Sequence, residues 1–115
     1  MTTPAQLALD DDWRPIPPGE SRAEEIDRRA REFVEANPEV WRLYCKYALE
    51  LISRGWSHYS SDAVVHRIRW HHAIETTDRD FKINDHYTAP FARMFHRAYP
   101  EHAGFFRLRE RPSEE

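Results

Sequence analysis

NPEVWRLYCKYALELISRG, residues 37–55, is the stretch on which the fold turns. Pro38 suits a first helical position, because the donor it lacks would have no partner there, and Asn37 before it reads as the cap. Val40, Leu43, Tyr44, Tyr47 and Leu51 then form one apolar row, and Trp41, Cys45, Ala48 and Ile52 form a second beside it. Polar residues are largely confined to Arg42, Lys46, Glu50 and Ser53. A helix that is apolar around most of its girth is the one on which the others pack. Cys45 within it reads as a small buried hydrophobe, and Gly55 ends it.

Toward the N-terminus, Ser21 with Glu24 three residues on makes a capping box, so a helix begins there. Ile26, Ala30, Phe33 and Val34 give it a narrow apolar stripe. Glu24/Arg28, Glu25/Arg29, Asp27/Arg31 and Arg28/Glu32 stand at i,i+4 as solvated pairs of a surface helix. Residues 1–20 read as a flexible, acidic, proline-rich arm. Pro4, Pro15, Pro17 and Pro18 forbid a continuous helix, and Asp10, Asp11 and Asp12 add charge. Its scattered Leu7, Leu9, Trp13 and Ile16 suit either a partner or the arm's own domain, which is expected to span 21–111.

Toward the C-terminus, Trp56–Tyr59 is a short extended link. Ser60 or Ser61 caps a third helix near 62–75, with Val64, Val65, Ile68, Trp70 and Ile74 as its apolar arc. Phe81-Lys82-Ile83 alternates as a very short strand. A fourth helix then begins at Asn84 or at Thr88, since Pro90 fits the first turn of a helix capped at Thr88 and would cost a bond in one capped at Asn84. Its buried face is Tyr87, Phe91, Met94, Phe95 and Ala98. Gly104–Glu110 alternates again, and residues 105–109 are expected to pair with 81–83. The fold class is therefore mainly α with a small two-strand element: a single domain of four helices, helix-turn-helix-like or winged-helix-like. The core should centre on Tyr44, Tyr47, Leu51, Ile68, Trp70, Phe91, Phe95 and Phe106.

With 115 residues the chain has room for one small domain and none for two lobes around a deep cleft. Its single cysteine excludes a disulfide framework and suits a reducing compartment. No run approaches the ~18 apolar residues of a membrane span, and the first residues lack a secretory pattern, so a cytoplasmic chain without a membrane partner is expected. The net charge of −3 conceals an asymmetry. Residues 1–51 hold 7 basic and 11 acidic side chains; residues 52–113 hold 10 basic and 7 acidic, with all 7 histidines.

That basic half carries the one arrangement with chemistry in it. Long helix, link, helix, turn, helix and basic strand follow in the order of a helix-turn-helix core with a reduced wing. In this reading the helix at 84–98 enters duplex DNA. Asn84, His86, Thr88, Arg93 and Arg97 face base edges and phosphates, and Lys82, Arg107 and Arg109 flank them as phosphate contacts. Two features stand against it: the turn over 76–83 exceeds three or four residues, and no hairpin wing follows 110. Any amphipathic helix with arginines on its wet side looks similar.

Other chemistries find less. His71 and His72 are adjacent and point about 100° apart, and His66 lies five and six residues earlier, so no zinc-binding spacing arises and no metal or other cofactor is expected. The 3 glycines are unclustered, which removes a phosphate-cradling loop, and no nucleophile elbow occurs. Glu75, Asp78, Asp80 and Asp85 beside Lys82 are the acids a Mg²⁺-dependent nuclease would use, and equally the acids of a turn and a helix cap. The chain is expected not to be an enzyme.

Five motifs combine over residues 33–110: Asn37-Pro38-Glu39-Val40; Arg69-Trp70; Phe81-Lys82 with Asn84 and Tyr87; Ala92-Arg93; and Gly104-Phe105-Phe106. In this combination the chain resembles small uncharacterised proteins of bacteriophages, prophages and some bacteria, from whose pattern it departs at Pro90. The resemblance implies a phage-type accessory protein and no particular mechanism. Expected functions are DNA binding as a regulator or, alternatively, binding to and inhibition of a host or anti-phage protein complex without enzymatic activity. A homodimer is compatible with either.

Overall fold

A computed structural model describes residues 19–77 and 81–108. Four helices make the body: α1 Arg22–Ala36, α2 Pro38–Ser53, α3 Ser61–Glu75 and α4 Thr88–Ala98. Single-turn 3₁₀ helices, Asp85–Tyr87 and Pro100–His102, flank α4. The expected arm lies outside the described residues up to position 18, as do Asp78, Asp80 and Arg109.

The helix ends follow from the sequence. Ser21 and Glu24 close the capping box through reciprocal bonds of 3.1 and 2.9 Å. Asn37 works differently from a simple cap: its side chain makes no bond into α2, and its amide donates back to the Phe33 carbonyl, closing α1. One residue thus serves as the joint between two helices. At the end of α2, Gly55 adopts φ +97°, and the Gly55 and Trp56 N–H groups bond the Ile52 and Leu51 carbonyls, the paired bonds of a Schellman motif. A side chain with a Cβ is strained at that φ.

The fourth helix resolves its two candidate starts by using both. Asn84 accepts from the His86 N–H and caps the 3₁₀ turn, and the α-helix proper begins at Thr88. Pro90 then occupies the third helical position, where a backbone N–H has no intrahelical acceptor, so the ring costs nothing there.

Tyr44 of α2 is the hub of the core. Its ring stacks on Trp41 with centroids 5.5 Å apart and meets Phe91, Phe95 and Phe106 at 5.5, 6.4 and 5.4 Å. Ile68, Phe91, Phe95 and Phe106 are buried as expected, whereas Tyr47 and Leu51 are half-buried at the edge.

Ala98, expected on the buried face of α4, is exposed at its end, and three further expectations fail. Trp70 is 62 % exposed and Ile74 64 %, because the buried positions of α3 are Ser61, Val64, Val65 and Ile68. Two residues beyond Ile68 a helix has turned about 200°, which sends Trp70 to the side opposite the core. Second, residues 81–84 form no strand. Arg69 donates to the Ile83 carbonyl at 2.7 Å and Phe81 lies flat on the His72 ring at 3.6 Å, so the segment is held by side chains. The C-terminal strap pairs elsewhere, through an isolated parallel bridge between Phe106 and Tyr59. Among the described residues there is no β-ladder. Third, the Glu25/Arg29 pair of α1 is not solvated: the residues are 1 % and 5 % exposed and joined at 2.8 Å, with Arg22 bonded to Glu25 from outside.

Candidate functional site

The predicted recognition helix faces inward. Pro90, Phe91, Ala92 and Phe95 of α4 are buried, and the helix packs against α1 and α3. Arg93 donates to Asp27 Oδ1 at 2.6 Å and so ties α4 to α1. Asn84 caps the 3₁₀ turn, and the Thr88 hydroxyl bonds the Asp85 carbonyl at 3.4 Å. These three side chains are engaged within the fold, Arg93 with another helix and Asn84 and Thr88 with the 3₁₀ turn that leads into α4. Lys82, His86, Arg97 and Arg107 are exposed. The expected group therefore divides: four cationic or titratable side chains in water, three polar ones in internal bonds, and Arg109 outside the described residues. Asp85, one of the candidate metal acids, forms an ion pair with Arg69 at 2.6 Å. Among the described residues no three metal-ligating side chains come together.

A second arrangement, which the sequence did not advertise, surrounds Tyr59. The Schellman turn at Gly55 directs Trp56 outward, and Trp56 is 53 % exposed with its ring edge-on to Tyr59 at 5.3 Å. The bond from the Tyr59 N–H to the Phe105 carbonyl, 3.1 Å, draws the C-terminal strap alongside. Tyr59 consequently stands between two clefts. The first, of about 290 Å³, lies between the end of α2 and the start of α3. Tyr47 and Tyr59 are among its walls, Leu51, Ala63 and Val64 are its apolar lining, and Arg54, Arg67 and Glu50 are its charged residues. The Arg67 guanidinium is positioned over the Tyr47 ring at 4.9 Å, a cation–π contact that keeps it beside the cleft. The second is an open groove of about 630 Å³ lined by Trp56, His58, Tyr59, Asp62, Arg107 and Leu108, with Ser60, Ser61, Thr88 and Ala89 between them.

Asp62 connects the groove to the wet face of α3. It pairs with His66 Nε2 at 3.3 Å, and Asp62, His66, Trp70 and Ile74 follow at i,i+4 along the helix. The Arg69 guanidinium donates to His66 Nδ1 at 3.3 Å, so the Nε2 nitrogen carries the proton that points at Asp62. Around both clefts Arg54, Arg67 and Arg107 stand against Glu50 and Asp62, the latter facing an imidazole. The lining is slightly basic, with Arg67 also paired to Glu75 at 3.8 Å, and the walls are aromatic. Cys45 is remote from this chemistry: burial pushes its thiol up to about 11.

A residue-by-residue reading misses this surface because Tyr59, Arg54, Arg67 and Arg107 lie on four different segments. A usable signal was Trp56-Ser-His-Tyr59, a link with two large aromatics directly after a helix-ending glycine. No protein-family model, curated protein or solved structure matches the chain.

Proposed function

We propose that the chain is a non-enzymatic accessory protein, of the phage type its motifs resemble, that docks onto another protein through the surface around Tyr59. The observation that carries this reading is the double cleft: two tyrosine walls and an exposed tryptophan interleaved with Arg54, Arg67 and Arg107. Exposed aromatics beside arginines are the side chains from which interface hot spots are made, since they supply large apolar area with little rotamer entropy lost. The basic rim selects a partner segment rich in Asp or Glu with an aromatic or aliphatic anchor.

Duplex DNA is the second reading. It is supported by the exposure of Lys82, His86, Arg97 and Arg107, and it involves the 3₁₀ turn and the end of α4 more than the α4 face.

Affinity purification from a bacterial host with three forms of the protein separates the readings. A protein retained stoichiometrically by wild type and lost from W56S/R107E supports docking at Tyr59. Duplex DNA retained by wild type and lost from K82E/R97E supports the second reading. A partner bound equally by wild type and both variants overturns both.

A further inference from the structure

His96 sits in the last turn of α4, half-buried, and its Nε2 accepts a hydrogen bond from the Phe106 backbone N–H at 3.1 Å. The direction of that bond fixes the imidazole's state. A backbone N–H only donates, so Nε2 must hold a lone pair and the single ring proton must sit on Nδ1. The ring also lies nearly parallel to the Phe106 ring, 6.0 Å away at 28°.

Phe106 belongs to the strap that closes the groove. Gly104 at φ +89° turns the chain into it, the Phe105 carbonyl accepts from Tyr59, and Arg107 and Leu108 beyond it line the groove. A proton on Nε2 replaces the acceptor with a donor and sets two N–H groups against each other. We infer that His96 is an acid-sensitive latch, whose protonation releases the Phe106 end of the strap and withdraws Arg107 and Leu108 from the groove.

The surroundings favour this behaviour. The ring touches Phe95 and Phe106; the ionisable residues on the elements around it are Arg93 and Arg97 on its own helix, Tyr99, Glu101 and His102 at the following 3₁₀ turn, Arg107 on the strap, and Tyr44 and Cys45 on α2. Arg93 is tied to Asp27, Tyr44 to Ser61 and Cys45 to Tyr99. Among the described residues no carboxylate forms an ion pair with His96, and burial holds its pKa below its ordinary 6.5. Once the strap opens, the ring regains water and its ordinary pKa. Open and closed states therefore bind protons unequally. The opening equilibrium rises about tenfold per pH unit between 6.5 and the imidazole's own lower value, and levels off below it.

The latch stands on its own geometry; only its effect on docking rests on the function proposed above. NMR on the full chain tests it without any partner. Imidazole ¹H–¹⁵N spectra at pH 7.5 are expected to show the Nδ1–H tautomer for His96, and an Nε2–H tautomer overturns the proposal outright. From pH 7.5 to 5, Phe106 amide protection, corrected for intrinsic exchange, is expected to fall, with the fall setting in as the pH drops through 6.5. Protection at Ala92 and Phe95 in α4 is expected to hold. H96Q, whose side-chain oxygen accepts the same bond and does not titrate, is expected to remove the pH dependence. Flat Phe106 protection in the wild type, or an equal fall in H96Q, overturns the latch; if H96Q does not fold, the tautomer and wild-type protection decide alone.

Discussion

The Tyr44 hydroxyl donates to Ser61 Oγ at 2.6 Å, and Ser61 donates in turn to the Thr88 carbonyl, also at 2.6 Å. The order of donors is forced. Thr88 offers a carbonyl that only accepts, so Ser61 spends its proton there and Tyr44 must supply the other. Three helices are joined at one buried serine, and burial drives the Tyr44 pKa far above its ordinary value.

The chain of donors makes the two ends unequal under mutation. Tyr44→Phe removes one donor and leaves Ser61 bonded to Thr88, so a loss of about 1 kcal/mol is expected. Ser61→Ala strands the Tyr44 hydroxyl in the core, and a loss of about 2–3 kcal/mol is expected. Urea denaturation of both variants checks the ranking; equal losses would show that the hydroxyls do not act in series.

Phe95 and Trp70 give a sharper contrast. Phe95 is fully buried between Tyr44, Tyr99 and Phe106, so Phe95→Ala should cost about 3–5 kcal/mol. Trp70 faces water, and Trp70→Ser should move stability by no more than about 0.5 kcal/mol. Thermal melts followed by far-UV circular dichroism check both.

Arg93 tests whether a predicted DNA contact is instead a structural tie. Its side chain and that of Asp27 are 23 % and 27 % exposed, between a surface pair and a buried one. A double-mutant cycle with Arg93→Ala and Asp27→Ala should return a coupling of about 0.5–1 kcal/mol. Arg97→Ala alone should leave stability unchanged; no coupling in the cycle would return Arg93 to the surface.

Cys45 should be inert. With its thiol pushed up to about 11, against an ordinary 9.0, the thiolate population at pH 8 falls by roughly two orders of magnitude. Iodoacetamide should label the native protein correspondingly more slowly than the urea-unfolded chain, as read by mass spectrometry.

Much of the fold was legible because it rests on local signals. The Ser21 capping box, the Pro38 start, the Gly55 stop and the burial of Tyr44, Phe91, Phe95 and Phe106 each follow from periodicity or a few neighbouring residues. The failures share another cause. Trp70 is as apolar as Ile68, and only the angular position of the rest of α3 sends it to water. Glu25 and Arg29 have the spacing of an exposed pair, and their burial is decided by tertiary packing. The strap at Phe105–Phe106 was recognised as extended, but its partner was not, since pairing with Tyr59 joins residues far apart in the chain. The double cleft was illegible for the same reason, and Arg93 was misplaced because Asp27 lies on another helix.

Trp56 and Trp70, two of the 4 tryptophans, shape what light can report about this protein. Both indoles are more than half in water in the native state, whereas Trp41 is stacked on Tyr44. The emission of these two is therefore already weighted toward the red and unfolding will change it little, so their share of the fluorescence is a poor gauge of folding. It becomes a good gauge of contact instead. Trp56 is a resident dye in the groove, and iodide quenching of W13F/W41F/W70F, which keeps only that tryptophan, will register whatever covers it.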